Sequence, residues 1–138
     1  MVDHEVVRRR LRQIDRRSSA LSQIAAVNSD EFVRDDNLQA QAERHLQVAI
    51  QAMIDVALHI LSEDTPDTPD DYGSAFVDLA QHGVISSVLA DRLRLAAGLR
   101  NLLVHAYLDI DPARVHQYLT ADLGDLTEFA VLVEQYIR

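Results

Sequence analysis

The chain has no cysteine, no lysine and no tryptophan, and only 4 glycines and 3 prolines among its 138 residues. Without cysteine there is no disulfide framework, thiolate zinc site, iron–sulfur cluster or cysteine nucleophile. So little glycine and proline leaves few breaks for a many-stranded fold, which points to helices. No apolar run approaches the roughly 18 residues that suggest a membrane-spanning helix. The opening MVDHEVVRRR also lacks the apolar stretch of a secretion signal. The expectation is a cytoplasmic protein without membrane association. With 48% hydrophobic and 25% charged residues, the composition is that of a globular chain, read as one domain over residues 1–138.

Charge is lopsided in sign and in place. Thirteen basic residues, all arginine, face twenty-two acids for a net of −9. A nucleic-acid binder needs cationic surface to displace counterions, and the total argues against one. Yet Arg8, Arg9, Arg10, Arg12, Arg16 and Arg17 crowd the first helix, opposed there only by Asp3, Glu5 and Asp15. This strip suits RNA contact and, somewhat better, internal ion pairs. Arg8, Arg12 and Arg16 step by four along a face that should be mostly solvated.

Hydrophobic spacing reads as helices throughout. Val7, Leu11, Ile14, Ser18, Leu21 and Ala25 step by three and four over residues 3–26, with Asp3 as N-cap. After a break at Asn28 and a short turn at Phe32, a second long helix starts near Asp36. It carries Leu38, Ala42, Leu46, Ala49, Met53, Ala57 and Leu61 on one face. Residues 63–71 hold five acids and two prolines and form a loop. A short helix from Tyr72 to His82 is closed by Gly83, and Ser86 or Ser87 caps the next. Asp111-Pro112 starts the last, which runs to the C-terminus with a weak point at Gly124. The expected fold is an all-α bundle of four to five helices.

The chemistry concentrates where Arg100, Asn101, His105 and Tyr107 interrupt an apolar helix close to its end. A guanidinium offers a fixed fork of donors for phosphate, and an imidazole moves protons near neutral pH. Those two groups suffice for metal-free RNA cleavage, in which the 2′-hydroxyl is the nucleophile. At about 100° per residue, however, Arg100 and His105 lie about 140° apart, while Arg100 and Tyr107 fall within about 20° of one line. Convergence of Arg100 and His105 calls for a distorted last turn, the reach of the arginine, or a second copy across a two-fold axis. The expectation combines these, with dimerisation central. On residues alone, an Arg and a His on one helix are more often a surface pair.

The order Arg-x4-His-x-Tyr, filled by Arg100, His105 and Tyr107 with Asn101 after the arginine, resembles the signature of HepT-type toxins of the HEPN superfamily. Residues 42–61 resemble that family's second helix, residues 74–107 its middle and YLDIDPARV its exit. The resemblance implies an all-α, HEPN-like homodimer acting as the ribonuclease toxin of a type VII toxin–antitoxin pair. It implies Arg100 and His105 as the catalytic pair, Asn101 in support, and no cofactor or metal. It further implies an RNA substrate, tRNA or mRNA, and Tyr107 as the residue to which an MntA-like nucleotidyltransferase antitoxin attaches AMP. The alternative is a non-catalytic helical bundle that binds and regulates a nucleotidyltransferase, a role the acidic surface also suits.

Other candidates are weaker. Asp55 with His59, and Asp78 with His82, sit one helical turn apart and suit one side of a zinc ion, but two ligands rarely make a site. His4, His45 and His116 read as ordinary, partly exposed side chains. Tyr72, Tyr118 and Tyr136 read as packing aromatics.

Overall fold

The computed structural model describes residues 1–138, except for the side chain of Tyr107. Seven α-helices follow in order: α1 (His4–Ala25), α2 (Ser29–Phe32), α3 (Asp36–Asp64), α4 (Tyr72–Gln81), α5 (Ser87–His105), α6 (Pro112–Ala121) and α7 (Gly124–Ile137). A single 3-10 turn, Tyr107–Asp109, lies between α5 and α6. Among the described residues there is no strand.

Every α-helix start but that of α7 carries a local side-chain hydrogen bond that satisfies an orphan amide of the first turn. Asp3 accepts from the Glu5 and Val6 amides at 3.0 and 3.2 Å, Asp35 from Leu38 at 3.0 Å, Asp71 from Ser74 at 2.7 Å and Ser86 from Leu89 at 3.1 Å. Asp111 accepts from Ala113 at 3.0 Å, with Pro112 in the first helical position where a missing amide proton costs nothing. Gly83, after α4, has φ +84°, a conformation that an L side chain rarely adopts.

The count exceeds the four to five helices expected. The turn at Phe32 closes into the four-residue α2, and the last helix divides at Asp122–Leu123, before the weak point read at Gly124. The division has a tertiary cause. Asp125, in the first turn of α7, is buried and accepts from Arg92 of α5 at 2.9 Å, which fixes the direction in which α7 sets off.

α3 is the centre. From Ala49 to Leu61 it buries Ala52, Val56 and Ile60 as well as the expected stripe, so it is enclosed on nearly all sides. An 18-residue window of it has mean hydropathy 1.3, enough by length and composition for a membrane span; 56% of that window is buried inside the bundle. α1 lies along α3, α4 and α5 form a pair beside it, and α7 closes against α1 and α5. Phe76 of α4 meets Phe129 of α7 edge to face at 6.0 Å between ring centres, joining two walls of the core.

The arginine strip of α1 is largely spent inside the molecule. Arg8 reaches Glu134 at 3.0 Å, Arg12 reaches Glu5 at 3.3 Å and Arg10 approaches Asp55 at 3.7 Å. Arg17 donates to His45 Nδ1 at 3.0 Å. The ladder nonetheless stays the mostly solvated face that its spacing suggests, with Arg12 and Arg16 exposed and Arg8 half-exposed. Burial, and then the charge of Arg17, hold the His45 imidazole below its usual range.

Candidate functional site

α5 presents its signature residues at the end furthest from its Ser86 cap. The helix is regular through His105, and only at Ala106 (φ −135°, ψ 39°) does the chain leave it, the Ala106 amide still donating to the Leu102 carbonyl at 2.9 Å. The distorted last turn expected to bring Arg100 and His105 together is thus absent: the distortion lies beyond His105. At about 100° per residue the two side chains leave the helix about 140° apart. A 3-10 turn begins at Tyr107, after the end of α5, and the expected alignment of Arg100 with Tyr107 falls on a side chain that lies outside those described. The turn has a packing reason: Ile110, just after it, tucks against the core, which a continuing α5 would not allow.

Arg100 is half-buried and held without being neutralised. Its Nη1 donates to Asn101 Oδ1 at 3.1 Å, and its guanidinium carbon stands 5.4 Å from the centre of the Tyr72 ring. Its Nε is buried and lacks a hydrogen-bond partner among the described residues, and no carboxylate there forms an ion pair with it. A guanidinium oriented by an amide oxygen and an aromatic face keeps its charge for an incoming anion. Asn101 is thus a hydrogen-bond partner of Arg100 in this structure. Tyr72, read from sequence as a packing aromatic, is exposed and positions Arg100; no local spacing links residues 72 and 100. His105 is exposed as the last residue of α5.

Asp55, His59 and His82 of the paired Asp and His residues are engaged elsewhere. His59 Nε2 accepts the Asp3 amide at 3.0 Å, while Asp55 accepts from Gln51 at 2.8 Å. Tyr136 donates to Asp64 at 2.5 Å, so the 3.0 Å contact between His82 Nε2 and the Tyr136 oxygen is donated by His82. Burial, together with Asp64, pushes the Tyr136 hydroxyl up to about 12. Among the described residues no three His, Asp or Glu side chains gather as a metal site. His116 departs from the expectation of partial exposure. It is buried, its Nε2 donates to the Val27 carbonyl at 2.6 Å, and its ring lies 5.3 Å from that of Phe32. It ties α6 to the end of α1.

Comparison with known proteins places this geometry. Residues 8–133 match the family described as ribonuclease HepT-like. A tRNA nuclease HepT of Aphanizomenon flos-aquae (strain 2012/KM1/D3) is 29% identical over 136 residues, covering 99% of this chain and 92% of the relative. An mRNA nuclease HepT of Shewanella oneidensis is 30% identical over 107 residues, covering 78% and 80%. The fold superposes with a TM-score of 0.88 on a tri-AMPylated Shewanella oneidensis HEPN toxin solved in complex with an MNT antitoxin. Identity there is 26%, with 96% of this chain and 99% of the other covered. With the family match running from residue 8 to residue 133, nearly its whole length, the chain belongs to the HepT-like ribonuclease family.

Proposed function

We propose that this chain, as a single HEPN-like domain, is a metal-independent endoribonuclease toxin that works as a homodimer on tRNA or mRNA. Arg100 binds the scissile phosphate and stabilises the charge that builds on it. His105 moves the proton to or from the reacting oxygens as the 2′-hydroxyl attacks. Asn101 steadies the guanidinium. An MntA-like nucleotidyltransferase silences the enzyme by transferring AMP from ATP to the Tyr107 oxygen, which loses its proton as pyrophosphate leaves, so that a negative phosphate competes for the fork that has to take the RNA phosphate.

The observation that carries this reading is the state of Arg100. In a chain with 22 acids it is oriented by Asn101 and Tyr72 yet forms no ion pair among the described residues. Most arginines of the chain form no ion pair among the described residues, but those that are also exposed are simply solvated. Arg100 is half-buried and held by both an amide oxygen and an aromatic ring. The 140° divergence supports the dimer, since a regular α5 sends Arg100 and His105 to different sides and a second copy can supply the missing partner. Metal independence rests on the chemistry proposed, in which Arg100 and His105 meet the charge and the proton without a metal.

The test is cleavage of purified tRNA and mRNA by the wild type, Arg100→Ala and His105→Ala, with and without EDTA. Each substitution is expected to lower the rate by about 10²–10⁴-fold, the usual contribution of a positioned acid–base group. EDTA should change nothing. Loss of cleavage in EDTA with recovery on added Mg²⁺ overturns the mechanism. A wild type that cuts neither RNA but binds the nucleotidyltransferase leaves the non-catalytic alternative.

A further inference from the structure

α6 packs on α1, α2 and α3, but among the described residues it makes no extensive contact with α5. The gap between them is a cleft of about 500 Å³. One wall is the outer face of α5: Leu95 and Leu102, 76% and 39% exposed, with Gly98 between them. Arg114, Gln117, Tyr118 and Asp122 line the cleft as well, Arg114 and Gln117 being exposed.

Three observations indicate what this cleft takes. Tyr118 lines it, and the Tyr118 hydroxyl is buried and has no hydrogen-bond partner among the described residues. A buried hydroxyl left unmet is costly, and its natural remedy is a ligand. Burial, then Asp125 and Asp122, push that hydroxyl upward, so it stays a neutral donor. Second, the wall is apolar and open: a Cβ built on Gly98 meets nothing within 4 Å. Third, His105 belongs to this face of α5. It lies seven residues after Gly98 and three after Leu102, within about 20° and 60° of them at 100° per residue. Arg100 points to the opposite side, towards Tyr72.

We propose that the α5–α6 cleft is a nucleotide subsite, in which one RNA base next to the cleaved bond lies against Leu95, Gly98 and Leu102. Its polar edge meets Tyr118, Gln117 and Asp122, and Arg114 takes its phosphate. The volume suits a small ligand of this size. An apolar plate with hydrogen-bonding groups along one edge is how proteins hold an unstacked base. The subsite rests on the ribonuclease reading for its role, and it adds a site of base preference that the Arg–His pair lacks.

The experiment titrates the wild-type protein with each of the four nucleoside 5′-monophosphates, and separately with inorganic phosphate, following amide and methyl NMR signals. At least one nucleotide should shift Gly98, Leu95 and Leu102 saturably, and phosphate alone should not. Gly98→Leu fills the cleft without touching the core and should abolish those shifts. Tyr118→Phe should weaken the preferred nucleotide by about tenfold, the scale of one buried hydrogen bond, and flatten the preference among bases. Absence of shifts with all four nucleotides, or identical shifts with phosphate alone, overturns the proposal. So does unchanged affinity in Gly98→Leu, or conversion of a sedimenting dimer to monomer by that substitution, which would make the cleft a contact between copies. Because binding is read without cleavage, nucleotide binding by a protein that cuts no RNA condemns the ribonuclease reading alone. Cleavage without nucleotide binding condemns the subsite alone.

Discussion

The Arg100 guanidinium rests 5.4 Å from the centre of the Tyr72 ring, joining the last turns of α5 to the first residue of α4. Tyr72 is itself held in place, because Asp71 before it caps α4 through the Ser74 amide at 2.7 Å. Tyr72 is thus a positioning residue for Arg100. Tyr72→Leu should lower kcat/KM for RNA by about threefold to tenfold, the range of a partly exposed cation–π contact, while Tyr72→Phe keeps the ring and the activity. Equal losses in both variants, or a loss that follows thermal stability, would show a packing role instead.

The divergence of Arg100 and His105 makes a dimer prediction. If each site takes its arginine from one copy and its histidine from the other, Arg100→Ala and His105→Ala chains unfolded and refolded together should recover activity. Random assortment rebuilds about a quarter of the wild-type sites. Recovery at background level, or a monomer by analytical ultracentrifugation at micromolar concentration, contradicts a composite site.

Modification at Tyr107 is read by intact mass after co-expression with a neighbouring MntA-like nucleotidyltransferase. The expected result is a gain of whole AMP units that is lost in Tyr107→Phe, together with loss of RNA cleavage in the modified protein. Inhibition of an unmodified chain would mean silencing by binding alone.

Acid should destabilise the fold through three depressed carboxyls. Glu63 is lowered by the N-terminal amine at 2.8 Å, Asp71 by the Ser74 amide, and Glu134 by Arg8. A carboxyl whose folded pKa lies below its unfolded value adds stability that is present above the unfolded value and lost as pH falls through the folded one. Burial raises Glu43 and Asp125, whose contribution runs the other way, being lost as pH rises through their folded values. The net expectation is a Tm that declines as pH drops below about 4, the unfolded carboxylate range. Glu134→Gln and Asp71→Asn should each flatten that decline in a calorimetric pH series; an unchanged slope in both would show that these contacts do not set it.

The helices were legible in the sequence because their causes are local. Asp3, Ser86 and Asp111 each accept from an amide two or three residues on, and the apolar residues of α1 and α3 recur with the period of a single helix. Arg100, Asn101 and His105 were legible for the same reason: they lie within six residues of each other on one element. Such relations need no knowledge of the rest of the chain.

Spacing placed the end of α5 close to Tyr107, but its exact stop at His105 was not legible. No glycine or proline marks the end at His105; the helix gives way because Ile110 must reach the core. Burial of His116 against Val27, the division of the last helix by Arg92 and Asp125, and the seat of Arg100 on Tyr72 belong to the same class. Each joins groups 28 or more residues apart, which meet only once α3 has gathered the other helices around it. Spacing along a chain encodes what hydrogen bonds and one helix face can reach, a few residues at a time. Which distant side chains share a surface depends on packing of the whole core. The sequence alone therefore determined the helices and the signature residues, while tertiary structure decided how Arg100 is held, which way His105 faces and that a cleft opens beside it.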